Sequence, residues 1–444
     1  MNISKYTTAL IGLGVLSLAG AAQAANPVVY LAGASALRST LFTAATTAGV
    51  IFDSGHAGSI VSGAPNNTNT STYIVFEGPI NGTTVDIDVF WTGAEAGVAD
   101  VAGKVIQQTL NNTPFAPNGV GTYNVPGIPA KFLNPNNGWT TTNTLATITG
   151  APSVADLALD DTSQAVSLTS PSQYHLVDYG AIAVVPFSWL KGYEKTPDPA
   201  WNDVVNVTTA ELNVLYARPQ AASFVTGNSA DSGDFIALTG RNLSSGTRVN
   251  ALLTSQYGVT TPVDQYAYQP LYATAGTLTA GTNYLNAGSL TEIYNDGFNS
   301  SGVAAAQLNF DGTGSSVVLV EPLAVPDAAA AYAPVSGGPA TYLSYNGVYE
   351  SDSAVELGNY PFWGQEHIFG TVGQLSTSEP GQVAIAISTG GGSGHAEGLP
   401  AYLLANGAGT ASGAVGPTYT AQSALIPESL LQVTKASDGA FPEP

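Results

Sequence analysis

Apolar runs that break at small-residue turns and resume at helical spacing recur along this chain. Pro27-Val28-Val29-Tyr30-Leu31-Ala32 has the pattern of a strand. Gly33-Ala34-Ser35-Ala36 turns out of it, and Leu37, Leu41 and Phe42 then share one face of a helix expected to about Thr47. After a Gly-, Ser- and Asn-rich loop at 53–72, Tyr73-Ile74-Val75-Phe76-Glu77 predicts a strand, and Thr84 to Trp91 alternates as another. That strand runs into Thr92-Gly93-Ala94-Glu95-Ala96-Gly97 and a helix over roughly Val98 to Thr109. Val154 to Ser163 holds a short strand ending in the pair Asp160-Asp161, and Tyr179 to Phe187 has the composition of a buried strand. Val207 to Tyr216 is a capped helix, with Thr208 as N-cap and Glu211 completing the box. A helix is also expected near Ser423 to Val433. Strands alternating with helices predict an α/β architecture whose ligands bind at the carboxyl ends of the strands.

One turn stands out chemically. Phe235-Ile236-Ala237-Leu238 predicts a strand, Gly240-Arg241-Asn242-Leu243-Ser244-Ser245-Gly246-Thr247-Arg248 follows, and Val249, Leu252, Leu253 and Gln256 mark a helix. A helix start leaves backbone N–H groups unpaired and carries partial positive charge. The hydroxyls of Ser245 and Thr247 sit beside those groups, and Arg241 supplies a planar, permanently charged fork, so the stretch is a candidate anion cradle. A plain N-cap would give the same local pattern.

Composition narrows the function. The 444 residues carry 10 Lys and Arg against 31 Asp and Glu, a net charge of −21, which argues against nucleic acid or an acidic membrane as partner. It also means that an anion site must be built locally. Lys5, the apolar run Ala9 to Ala19 and the small-x-small pattern Ala22-Gln23-Ala24 predict a signal peptide at 1–24, and hence a periplasmic or secreted protein without a lipid anchor. With no Cys there are no disulfides and no thiol chemistry. Residues 111–145, rich in Asn, Pro, Gly and Thr, look like a surface insertion.

In motif order the chain resembles the periplasmic phosphate-binding protein of the phosphate ABC transporter, a type 2 periplasmic binding protein. Gly33-Ala34-Ser35-Ala36 is similar to the family's first Gly-Ala-Thr/Ser loop, and Gly93 to Val98 to its Gly-Ser-Ser-Gly-Gly-Val turn. Asp156 to Asp160 is similar to a segment whose final Asp accepts a phosphate proton. Arg241 to Thr247 is similar to the Arg-x-x-x-Ser-Gly-Thr loop, the most specific of the four. The resemblance implies a two-lobed α/β fold: two mixed sheets flanked by helices and joined by hinge strands. Lobe 1 would span 25–180 and 355–444, and lobe 2 would span 181–354. It further implies a non-enzymatic, cofactor-free monomer that holds inorganic phosphate or a related oxyanion for an ABC permease. The site would use Ser35, Ala36, Glu95, Asp160 (or Asp161), Arg241, Ser245, Gly246 and Thr247. Glu95 or Ala94 stands where the family has a ligand-binding Ser, and a carboxylate there would repel a phosphate dianion unless protonated or turned away.

Other chemistries find less in the sequence. His56, His175, His367 and His395 form no paired metal motif, and neither a Gly-x-Ser-x-Gly elbow nor a phosphate-binding Gly-Lys-Ser/Thr loop occurs. A secreted surface or matrix protein that has kept the fold and lost its ligand is the alternative. A phosphatase-like hydrolase is a more distant one.

Overall fold

The computed structural model describes residues 26–64, 68, 71, 73–91, 93–102, 106–107, 122–123, 155–167, 176–268, 290–293, 297–298, 301–333, 338–371, 377–390, 398–406, 410–411, 422–423 and 425–443. The expected signal peptide at 1–24, nearly all of the insertion at 111–145, and His175 and His395 lie outside them.

A mixed sheet of 12 strands organises the molecule, with helices packed on it. Its principal strands are β1 (Val28–Gly33), β2 (Ser59–Ala64), β3 (Tyr73–Ile80), β4 (Thr83–Phe90), β5 (Leu157–Asp160), β6 (Val177–Lys191), β7 (Phe235–Leu238), β8 (Val317–Ala324), β9 (Thr341–Tyr345) and β10 (Trp363–Gly370). Across the sheet the order is Gln220–Ala221, β7, β8, β6, β10, β5, β1, β4, β3, β2, with β9 branching from β6 and Asn206–Val207 pairing to β9. β1 runs parallel to β4 and β5, and β7 runs parallel to β8. The α/β class expected from the alternating pattern is therefore present.

β6 explains why two sheets form one ladder. Its residues Val177 to Pro186 pair with β10, while Phe187 to Lys191 pair with β8 and, at the far end, with β9. Fifteen residues are long enough to serve both halves. Aromatic packing reinforces the junction: Phe362 stacks on Trp189 at 5.4 Å and on Phe187 at 5.1 Å, and the Tyr360 hydroxyl donates to the Phe187 carbonyl at 2.8 Å.

Several elements differ from expectation. The loop expected at 53–72 contains β2, recruited by antiparallel pairing to β3. The helix expected from Val98 begins four residues earlier, as α2 (Ala94–Val101), because Gly93 takes φ 101° and ends the turn there. The helix expected near Ser423 to Val433 is absent. Ile426 instead bridges to Val184, and a single 3₁₀ turn, Glu428–Leu430, follows Pro427. The buried strand β8 is not among the elements expected from the pattern.

Five further helices matter for the site: α1 (Arg38–Thr46), preceded by a 3₁₀ turn at Ser35–Leu37, α3 (Thr209–Ala217), α4 (Gly246–Thr254), α5 (Ser301–Gln307) and α6 (Val325–Tyr332). α3 carries the anticipated capping box between Thr208 and Glu211.

Candidate functional site

Strand ends and helix starts converge on one narrow cleft. β1 delivers Ala34, Ser35 and Ala36; β4 leads to Gly93 and Ala94 at the start of α2; β7 leads to Ser245, Gly246 and Thr247 at the start of α4. Ser301 opens α5, and β8 passes directly into α6 through Ala324, placing Asp327 in the first helical turn. Helix N-termini from both halves of the sheet thus point their unpaired N–H groups and positive dipole ends into a single space.

Arg241 forms part of the wall and is only 5% exposed. Its Nε donates to the Phe298 carbonyl at 3.0 Å and its Nη1 donates to the Ser301 hydroxyl. The loop that carries it is held from below: Arg248 Nη1 donates to the Arg241 carbonyl at 3.0 Å, and Ser244 donates through N and Oγ to Asn242 Oδ1. Arg248 is buried beneath the loop rather than lying on the surface. Ser245 caps α4, its Oγ accepting from Arg248 N at 3.4 Å.

Across from Arg241 lies Asp161. Its Oδ1 is buried without a hydrogen-bond partner among the described residues. A Cβ added to Gly246 would lie 1.4 Å from that oxygen, so the carboxyl rests directly on the first residue of α4. Burial pushes the Asp161 carboxyl up to about 7, with Arg241 pulling the other way. Asp327 is also raised by burial, and opposed by Arg241, Arg38 and a hydrogen bond from Ser301. The walls touch beside these groups: Gly93, at φ 101°, approaches so closely that an added Cβ would stand 2.5 Å from the Ser244 carbonyl oxygen.

Of the residues singled out in the sequence, Ser35, Ala36, Arg241, Ser245, Gly246 and Thr247 line this cleft together. Two do not. Asp160 is fully buried behind the wall, with Oδ1 accepting from Thr162 N and Oγ1 at 3.0 and 2.9 Å; successive strand residues face opposite sides, and Asp161 takes the cleft side. Glu95 is fully buried too, accepting from Ser167 Oγ at 2.8 Å and Thr162 Oγ1 at 3.3 Å. Because α2 starts at Ala94, it is Ala94 that meets the cleft and Glu95 that turns behind it. The repulsion anticipated at that position is thereby removed from the cleft surface.

Ser301, Ala324 and Asp327 were not anticipated. The signal for the last two was present: the apolar run Val317 to Val320, then Pro326 and Asp327, is a strand followed by a Pro-led helix start. Among the described residues no group of three His, Asp or Glu could hold a metal ion, and no helix is long and apolar enough to cross a membrane.

No family model and no curated protein matches this sequence. Among solved structures the chain is similar to a putative phosphate ABC transporter substrate-binding protein with bound phosphate from Clostridium perfringens, at 10% identity and TM-score 0.38, over 81% of this chain and 93% of that one. It is also similar to an ABC-type phosphate transport receptor from Vibrio cholerae, at 11% identity and TM-score 0.39, over 81% and 92%. A third, PstS from Borrelia burgdorferi, matches at 10% identity and TM-score 0.31, over 81% and 96%. At such scores the likeness carries no argument about ligand or role.

Proposed function

We propose that this chain is an exported substrate-binding protein that holds a small tetrahedral oxyanion, phosphate above all, and passes it to an ABC permease. The observation that supports this reading is the convergence of helix N-termini and Arg241 around the unpartnered Asp161 Oδ1. Backbone N–H groups at Ala36, Gly246 and Thr247 and the hydroxyls of Ser35, Ser245 and Thr247 donate to the anion, and Arg241 adds a charged donor. Asp161 accepts a hydrogen bond from a protonated phosphate oxygen. Sulfate, with no proton to give, sets acceptor against acceptor. Each charge-assisted bond contributes roughly 1.5–3 kcal/mol. A handful of them, less ordering costs, gives about −8 kcal/mol, or micromolar affinity.

In this reading the two halves of the sheet are the lobes, 25–180 with 355–444 and 181–354, and the shared strand β6 with the turn before β10 forms the hinge. The Gly93 to Ser244 contact supports a closed cleft. The ligand-free matrix-protein alternative has less in its favour, since a cradle without a ligand would leave the buried Asp161 Oδ1 with no function.

Isothermal titration with phosphate and with sulfate tests the reading. Phosphate binds the wild type at micromolar concentration, and Arg241→Ala weakens it at least tenfold, about 1.4 kcal/mol. Absence of heat with both anions, or unchanged affinity in Arg241→Ala, overturns it.

A further inference from the structure

At and behind the cleft wall, four buried carboxyl side chains lie close enough to act on one another. Glu95 comes from α2, Asp160 from the last residue of β5, Asp161 from the residue after it, and Glu366 from β10; Asp161 is 3% exposed and the other three are 0% exposed. His367 pairs with Asp160 across the β10–β5 ladder, which sets Glu366 beside the acid pair.

Hydrogen-bond donors are too few for four carboxylates. Thr162 Oγ1 lies 2.9 Å from Asp160 Oδ1 and 3.3 Å from Glu95 Oε1, yet it carries one proton and serves one of these oxygens at a time; Asp160 Oδ1 also accepts from Thr162 N. Ser167 Oγ serves Glu95 Oε2. Asp160 Oδ2, Asp161 Oδ1 and both Glu366 oxygens have no partner among the described residues. The carbonyl oxygen of Asn250 has none either, although its amide donates to the Asp161 and Gly246 carbonyls. The charges acting on Asp160 and Glu366 are other carboxyls. Arg241 acts on Asp161 from the cleft, and Asp438, which accepts from Ser163 N, acts on it from the C-terminal segment. A carboxyl in such surroundings holds its proton to higher pH than one in water.

We propose that Glu95, Asp160, Asp161 and Glu366 form a shared proton store, and that an oxyanion entering the cleft is bound together with one proton taken up from solvent by that store. The inference rests on the oxyanion reading of the cleft and deepens it. An anion beside Asp161 adds negative charge in a low-dielectric space, which raises the affinity of the cluster for a proton. Protonated Asp161 then donates to the anion instead of accepting from it. The store therefore sets which oxyanions the cleft accepts. At alkaline pH it takes only those that bring their own proton, the hydrogenphosphate class. At acid pH the store supplies the proton, and fully ionised tetrahedral anions of the sulfate class bind as well. Burial and the neighbouring charges hold Asp160 and Glu366 well above the ordinary carboxylate range, and Asp161 near 7, which places the change close to neutrality. Glu95 Oε2 accepts from Ser167 Oγ while Oε1 shares the Thr162 hydroxyl with Asp160, and the Glu95 charge raises the proton affinity of Asp160.

Sulfate is the probe, because it carries no proton in this range. The whole protein is titrated with sulfate between pH 5 and 8, in pairs of buffers with different ionisation heats, with phosphate titrated in parallel. Sulfate affinity should rise by up to about tenfold for each unit of pH lowered through the transition, with about one proton taken up per sulfate. Glu95→Gln, which keeps the side chain's shape, should move the midpoint to lower pH. Three results overturn the proton store while leaving phosphate binding intact: sulfate bound without proton uptake, sulfate refused at every pH, or an unmoved midpoint in folded Glu95→Gln. Failure of both anions to bind overturns the oxyanion reading itself. The wild-type proton count decides the matter even if the variant does not fold.

Discussion

Asp160 and Asp161 are neighbours in sequence, alike in chemistry and almost equally buried, yet they face different surroundings. Asp161 looks into a cleft rimmed by helix N-termini and Arg241. Asp160 looks into a pocket of carboxyls with one shared hydroxyl. A single step along the strand reverses the face, and with it the sign of the surrounding charge. The wall between them is thin, so the two environments act on each other. The cleft gains a place for an anion because Glu95 and Asp160 are turned behind it, and Arg241 acts on the two carboxyls that remain, Asp161 and Asp327.

The strongest way to break that arrangement is to fill the wall. Gly246→Val would drive a side chain into Asp161 Oδ1, which stands 1.4 Å from where even a Cβ would sit. Either Asp161 is expelled or the start of α4 shifts. Phosphate binding should be abolished, with a stability loss of about 3 kcal/mol or more in denaturant unfolding, at the upper end for overpacking. Retained binding would show that the two walls are not in contact.

A second test compares the two acids directly. Asp161→Asn should weaken the preference for phosphate over sulfate at least tenfold at pH 8, because an amide can donate where a carboxylate cannot. Asp160→Asn should change that preference far less and raise the melting temperature at pH 8, because an amide needs no proton to lie buried beside Glu95. Equal effects from the two substitutions would erase the distinction drawn between the two faces.

The smallest expected effect is spread over the whole molecule. Burial raises Asp88 and Asp100 to about 8 and Asp161 and Glu194 to about 7, with Asp160, Glu321 and Glu366 also raised. Between the unfolded carboxylate value near 4 and these folded values, the folded chain binds more protons than the unfolded one. Its stability is therefore greatest at the acid end of that window and falls as pH rises. Buried Lys435, lowered to about 7, and Lys191, lowered to about 8, act oppositely above neutrality, where the unfolded chain holds the extra proton. Thermal melts should show a falling transition temperature from pH 5 to 7 and a shallower change beyond. A rising one over that range would mean that these acids are ionised in the fold.

Much of the fold was legible in the chain, because strand alternation, helix spacing and capping are local. β1, β3, β4, β7 and the Thr208 box each follow from residues within a few positions of one another. β2 was not legible, because it forms where β3 offers it an edge. β8 carries a local signal in the apolar run Val317 to Val320, but its place in the sheet is set by pairing with β6 and β7. The helix expected near Ser423 to Val433 failed for the same reason: the pairing of Ile426 with Val184, far away in sequence, outweighs local propensity.

For the site, the sequence by itself determined the ingredients. Small residues after strands, the Arg241 to Thr247 turn and an acid pair at a strand end are sufficient to assemble helix N-termini and a charged donor. Only the tertiary structure decided which acid faces the cleft, that Glu95 turns away from it, and that Ser301 and Asp327 arrive from other helices. Which face a side chain takes depends on the register and the first residue of each element. A one-residue shift in either moves a carboxylate from solvating a ligand to repelling one, and long-range packing alone fixes that shift.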